Sequence, residues 1–274
     1  MCLGLQNLQH NIYRYQMKKI EVIKLSKTFL HQNNKNQHPP IFTDISFDIS
    51  EGTFVNILGP SGCGKTTLLN MIAGFVTPTS GNVFFNQRIV NGPDPSRTVI
   101  FQDYGLFDWK TVLGNIQFGL KAKGLSKREQ KELAQYYINL VNLTGSEYKY
   151  PSELSGGMKQ RASIARAFAV EPDCLLMDEP FGALDSQTRN ILQEEILKVW
   201  EKTNKTVLSI THNIDEAVYL SDRVIVLGNA PTQIMLDLNI DLERPRYPEM
   251  RLEERYHFFY DQIWQALRLG QLIN

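Results

Sequence analysis

The segment GPSGCGKTT, residues 59–67, follows the apolar run FVNIL and leads into TTLLNMIAGF, where apolar residues recur at helical spacing. Strand, glycine-rich turn and helix in that order fit the phosphate-loop pattern G-x-x-x-x-G-K-[ST] in the context that gives it meaning. Backbone N–H groups must wrap closely around phosphate oxygens. Gly59, Gly62 and Gly64 permit this, with Pro60, Ser61 and Cys63 between them. Lys65 sets a positive charge against the β- and γ-phosphates, and Thr66 offers a hydroxyl to Mg2+. Thr67 closes the segment, in a helix whose N-terminus adds partial positive charge. The loop implies nucleotide binding and leaves the reaction open.

Around this loop, strand and helix patterns alternate. KKIEVIKLSKTF, starting near Met17, then IFTDISFDIS, FVNIL, GNVFFNQRIV, RTVIFQ, CLLMDEP, TVLSITH and RVIVL read as strands. TTLLNMIAGF, the stretch Leu125–Leu143, the stretch Gly157–Ala169 and ILQEEILKVWEKT read as helices. Short apolar strands alternating with helices argue for an α/β domain with a largely parallel sheet. The stretch 103–160 interrupts the alternation as a helical insertion, and HQNNKNQHPP reads as an exposed loop. Residues 1–16 read as an extension.

Lysine plus arginine and aspartate plus glutamate each number 29, so the formal net charge is zero. Phosphate-backbone binding calls for a basic excess, which argues against nucleic acid as a partner. No apolar run is long enough to span a bilayer, and the N-terminus lacks the basic and apolar regions of a signal peptide. A cytoplasm-like compartment follows as the expectation. Cys2, Cys63 and Cys174 form neither a disulfide framework nor a metal site.

CLLMDEP supplies the second half of a phosphate-loop site. A carboxylate at a buried strand end suits Mg2+, which points to Asp178. Glu179, next to it, is the residue placed to polarise a water for attack on the terminal phosphate.

LSGGMKQR, residues 154–161, lies upstream of that acidic strand and resembles the signature of the ABC ATPases. By itself the run is a serine N-cap followed by glycines; its position among the other motifs promotes it. The resemblance covers nearly everything from about residue 17 onward. It implies that Ser155, Gly156 and Gly157 open a helix facing the γ-phosphate of ATP held by a second copy. Gln102 matches the family's Q-loop glutamine, implied to touch Mg2+ and the attacking water. Asp185 in GALD matches the D-loop aspartate, which communicates across the dimer. His212 in SITHN matches the switch histidine, implied to contact the γ-phosphate and orient Glu179, and Phe29 in SKTF resembles the aromatic that stacks on adenine.

The fold implied is a P-loop NTPase (RecA-like) core with a mainly parallel sheet, an N-terminal antiparallel β subdomain and a helical subdomain. Residues 17–102 would hold the first part of the core, 103–160 the helical subdomain ending in the signature, 161–240 the second part and 241–274 a helical tail. Implied cofactors are ATP and Mg2+. Implied partners are a second copy head to tail, two membrane permease subunits and, indirectly, an extracytoplasmic solute-binding protein. That places the chain peripherally on the cytoplasmic face of a membrane, with DYGLFDWKTVLGNIQFGL receiving the permeases and Phe107 and Trp109 as candidate contacts.

GPDPSRTVIFQ, LFDWKTVLGNI and the ending RPRYPEMRLEERYHFFYDQIWQAL resemble the ATPases of nitrate, sulfonate, taurine and related importers. Asp108 departs from the proline usual there, and Asn213 from a common acid. The alternatives are an ABC importer subunit for a different solute and a soluble non-transport ABC ATPase; paired ABC domains or long coiled coils, which usually mark the latter, are absent from this sequence.

Overall fold

The computed structural model describes residues 18–29, 39–182 and 184–272. The extension at 1–16 and the loop at 31–38 lie outside the described residues. Two bodies emerge: one runs to Asp94 and resumes at Asn204, and the other spans Pro95–Thr203.

In the first body, strands β1 (Lys18–Lys27), β2 (Phe42–Ser50), β4 (Ser80–Phe85) and β5 (Arg88–Ile89) form an antiparallel sheet in the order β2-β1-β4-β5. Ile20, Val22 and Leu25 of β1 are buried, so the two-residue alternation skips once. The skip falls where the register against β2 shifts, at Lys24, whose φ is 48°. Serine hydroxyls take up N–H groups at the irregularity. Lys24 N–H donates to Ser46 Oγ (2.8 Å), and Asp44 N–H donates to Ser26 Oγ (3.0 Å). The run GNVFFNQRIV is a hairpin rather than one strand: it turns at Asn86 and Gln87, both left-handed with φ of 48° and 62°.

The same body holds β3 (Phe54–Leu58), flanked in parallel by β8 (Thr206–Thr211) and β9 (Arg223–Leu227), with β10 (Ile234–Asn239) antiparallel to β9. Every residue of β3 and β8 is buried, as in a parallel sheet covered on both faces. Helices α1 (Lys65–Ala73), α6 (Ile214–Leu220) and α7 (Glu254–Leu272) belong here. Tyr256, Phe259, Ile263 and Ala266 are buried, spaced as one face of α7 requires. Ahead of α7, the RPR segment folds back. Arg244 donates to Leu220 O (2.8 Å) and to Asp222 Oδ1 (2.9 Å), and Arg246 donates to Ser221 O (3.1 Å). Burial, reinforced by the charge of Arg244, lowers the Arg246 guanidinium to about 10, which leaves it charged at neutral pH.

The second body contains the parallel pair β6 (Arg97–Ile100) and β7 (Cys174–Asp178), with helices α2 (Val112–Ala122), α3 (Lys127–Leu140), α4 (Gly156–Ala169) and α5 (Ser186–Thr203). Helices α2, α3 and α4 pack on one another. The helix expected over Leu125–Leu143 is shorter at both ends: a capping box fixes its start, and the left-handed Asn142 (φ 55°) follows its end. Ser126 Oγ accepts from Glu129 N–H, and the Glu129 carboxylate accepts from Ser126 N–H. Among the described residues no helix is long and apolar enough to cross a membrane.

Asn115, fully buried on α2, ties down the loop before its helix. Its Oδ1 accepts from Phe107 N–H (2.8 Å), and its Nδ2 donates to the carbonyls of Phe107 (3.2 Å), Lys110 (3.1 Å) and Thr111 (3.0 Å). Asn115→Ala strands these groups, and leaving a buried polar group unpaired costs about 1–3 kcal/mol. The expected result is a lower urea midpoint with an unchanged slope, and faster proteolysis around residues 107–111. An unchanged midpoint would show that the loop holds itself.

Candidate functional site

In the first body β3 delivers the chain into the phosphate loop at Gly59. Gly62 (φ 81°) and Gly64 (φ 93°) are left-handed, a conformation open to glycine at little cost. Gly64 is further constrained by space: a Cβ there would lie 2.3 Å from Ile41 Cγ2. Beside Gly62 a Cβ would meet nothing within 4 Å, so the loop is open on that side. Helix α1 starts at Lys65 with neither a side-chain cap nor an acid in its first turn. Its N-terminal N–H groups are therefore not answered by a carboxylate of their own helix, which suits an incoming anion.

The buried Lys65 ammonium donates to Gly59 O (2.8 Å) and Pro60 O (2.9 Å), bending the loop around itself. Those bonds use two of its three donors and leave the third for an anion. Thr232 Oγ1 donates to Cys63 O (2.6 Å), so a residue 169 positions further along the chain also holds the loop. Cys63 is buried and burial raises its thiol, which makes it a packing group. Ser61 and Thr66 are exposed, and Pro60 and Thr67 half-buried. His212 is exposed immediately past the end of β8. Phe29 is half-exposed, with the Lys27 ammonium 4.8 Å from its ring centroid, a partner that the sequence reading did not foresee.

The second body carries the remaining residues. Asp178 ends β7 and is buried; Glu179 follows, half-buried. Glu179 has φ 45°, a left-handed setting that costs a non-glycine residue on the order of 1–3 kcal/mol and tends to occur where chemistry fixes a side chain. A turn holds it, with Gly182 N–H donating to Glu179 O (3.1 Å). Gln102 is exposed, two residues beyond the end of β6. Ser155 is the N-cap of α4, accepting from Met158 N–H (3.3 Å). The helix starts at Gly156, one residue earlier than expected. A Cβ on Gly157 would lie 2.7 Å from Thr188 Cγ2, so that glycine also serves packing against α5. Asp185 accepts from Thr188 N–H (2.9 Å), and this bond holds its carboxyl below the usual carboxylate range.

The sequence reading missed a link between the Gln102 loop and the helix that Ser155 caps. Ser163 Oγ donates to Tyr104 O (2.7 Å), Arg166 donates to Gly105 O (2.5 Å), and the Arg166 guanidinium lies 5.6 Å from the Phe107 ring centroid. Tyr104 and Gly105 are both left-handed, with φ of 59° and 58°. The signal was present in two polar positions on the apolar side of α4. Phe107 packs against Phe118, with centroids 4.7 Å apart, while Trp109 stands 73% exposed.

Phosphate loop, acidic strand end and capped glycine helix define an α/β nucleotide-binding cassette of the P-loop class. The family described as ABC transporter matches residues 42–182. An uncharacterized ABC transporter ATP-binding protein of Methanocaldococcus jannaschii is 51% identical over 83% of this chain and 84% of its own length. The nitrate import ATP-binding protein NrtD of Synechococcus elongatus is 45% identical over 77% of this chain and 78% of its own. The taurine import ATP-binding protein TauB of Yersinia pestis is 46% identical over 78% and 83%. A solved bacterial ABC transporter cassette, in a dimeric structure, matches with a TM-score of 0.72 and 30% identity over 82% of this chain and 100% of that one. In its post-hydrolysis state with ADP and Pi that cassette matches at 0.71. The chain belongs to the ABC transporter family, as an ATP-binding and ATP-hydrolysing subunit with a P-loop NTPase fold.

Proposed function

We propose that two copies of this chain close head to tail over two ATP molecules and so drive a membrane importer for nitrate, taurine, a sulfonate or a related small solute. The observation that carries the ATP-binding part of the reading is the phosphate loop, with left-handed glycines, a buried lysine and a helix start left without an acidic cap; the Ser155-capped glycine helix supports the second copy's part. The loop N–H groups and Lys65 bind and orient the phosphates. Thr66, Gln102 and Asp178 offer hydroxyl, amide and carboxylate oxygens, the hard donors that suit Mg2+, and these residues would hold it. When bound, Mg2+ supplies charge neutralisation on the β- and γ-phosphate oxygens. Glu179 accepts the proton of the attacking water, and His212 contacts the γ-phosphate and steadies Glu179. Phe29 stacks on adenine. From the other copy, Ser155, Gly156 and Gly157 present a helix N-terminus to the γ-phosphate, with Asp185 at the boundary between copies.

Two permease subunits would receive the motion at the surface around Phe107, Trp109 and Phe118, placing the chain on the cytoplasmic face of the membrane. An extracytoplasmic binding protein would present the solute. Support comes from the exposure of Trp109 and from the import functions named for NrtD and TauB. Cells lacking this chain should lose uptake of one such solute and regain it with the parent chain. Trp109→Ala should leave ATP turnover of the isolated chain within about twofold of parent, yet fail to co-purify with the permeases and to restore uptake. Full uptake by a chain with alanine at both Phe107 and Trp109 would refute this docking surface; unchanged uptake of every such solute in the deleted cells would refute the importer reading.

A further inference from the structure

We propose that the C-terminal segment is a clamp on the short helix behind His212, with Asp215 as its point of attachment and Arg251 and Tyr256 as positioning residues for ATP turnover. This inference rests on the role assigned above to His212. Helix α6 begins two residues after His212 and is seven residues long. A helix that short has little stability of its own, so its place is set by what grips it. Asn213 caps it, accepting from Glu216 N–H (3.3 Å), while Asn213 N–H donates to Thr211 Oγ1 (3.1 Å). That ties the turn carrying His212 to the orientation of the first helical turn.

The tail grips that first turn directly. Tyr256, almost wholly buried, shares its phenolic proton between Asp215 Oδ1 (2.7 Å) and Asp215 O (2.8 Å). Arg251 Nε donates to both Asp215 carboxylate oxygens (3.0 and 3.2 Å), and its guanidinium lies over the buried Tyr219 ring at 3.8 Å. The distal end of α6 is gripped as well, by Arg244 on Leu220 O and Arg246 on Ser221 O. Arg244 further pairs with Asp222, whose Oδ2 accepts from Phe54 N–H (2.9 Å), the first residue of the strand entering the phosphate loop. One tail segment therefore holds the helix that follows His212 directly and reaches the strand that leads to Lys65 through Asp222. Burial, with Asp215 alongside, holds the Tyr256 phenol above its ordinary value, so it stays a donor throughout the working pH range.

The test uses the full chain, with ATP turnover as one readout and the imidazole NMR signals as the other. Five histidines are present, and the His212 signal is assigned from its loss in His212→Ala. Asp215→Ala should lower kcat about tenfold or more, because small misplacements of a reacting group are costly. The KM for ATP should stay within about twofold, and the His212 signal should shift. Tyr256→Phe should lower kcat less and shift the same signal, with Arg251→Lys milder than Arg251→Ala. Parental kcat and an unmoved His212 signal in Asp215→Ala, beside a dead His212→Ala, would overturn the clamp and leave the His212 role standing. His212→Ala at parental speed would overturn both. If Asp215→Ala does not fold, Tyr256→Phe and Arg251→Lys decide by the same two readouts.

Discussion

Glu179→Gln is expected to abolish ATP turnover, by about 10²–10⁴-fold, the range for a lost general base, while ATP still binds. The amide matches the carboxylate in shape and tolerates the left-handed backbone at φ 45° no worse than glutamate does. It keeps an oxygen that can hold a water and loses the capacity to take the proton. Nothing in the phosphate loop changes: Lys65 remains on the carbonyls of Gly59 and Pro60, so affinity for ATP should stay within about twofold of parent. Binding without hydrolysis should leave two copies joined, seen as a dimer by light scattering with ATP and as a monomer with ADP. Parental turnover in this variant would remove Glu179 from its assigned role.

How much of this was legible in the sequence depended on the kind of signal. FVNIL, TVLSIT and CLLMD read correctly as strands because every residue of each is buried, so the apolar run is the structural fact itself. β10 escaped notice because IMLDLN is a half-exposed edge strand with no clean alternation, whose place comes from pairing with β9. α2 was read only as part of a helical region; its glycines at 114 and 119 lower helix propensity, and packing on α3 and α4 supplies the difference. The split of GNVFFNQRIV into a hairpin lay in Asn86-Gln87, a weaker turn signal than Asn-Gly.

Candidate site residues were legible as motifs, because their chemistry fixes residue type at short spacing. Their support was not. The contacts of Asp215 with Arg251 and Tyr256, and of Asp222 with Arg244, join residues 22 to 41 positions apart. No short pattern encodes such pairs. A buried tyrosine phenol needs a partner, but only the fold says which one. The same holds for Arg166 with Gly105, 61 positions apart, by which the Gln102 loop is fastened to the helix starting at Gly156. What sequence shows is the candidate groups for meeting the ligand; what it hides is the packing and hydrogen bonding that hold them.

The proposed division of labour between copies predicts the second large effect, on mixing two dead variants. Lys65→Ala removes the buried ammonium that shapes the phosphate loop and should cost turnover at both sites of a dimer. Ser155→Arg removes the N-cap of α4, worth about 1 kcal/mol, so the chain should fold, and puts a bulky side chain where the proposed reading seats the partner's γ-phosphate. Each variant alone should be nearly inactive. If each site takes its phosphate loop from one copy and its capped helix from the other, a mixed dimer carries both lesions in the same site and leaves the second intact. Random pairing makes half the dimers mixed, so an equimolar mixture should regain about a quarter of the parental sites. A chain carrying both substitutions, mixed with parent chain, damages one partner of every site in each mixed dimer. Only the remaining parent pairs then work, again about a quarter of sites, and excess double variant should drive this toward zero. Excess of Ser155→Arg over a fixed amount of Lys65→Ala should instead raise activity until every Lys65→Ala copy is paired. A mixture as inactive as its components, with dimer formation verified, would mean that each copy completes its own site.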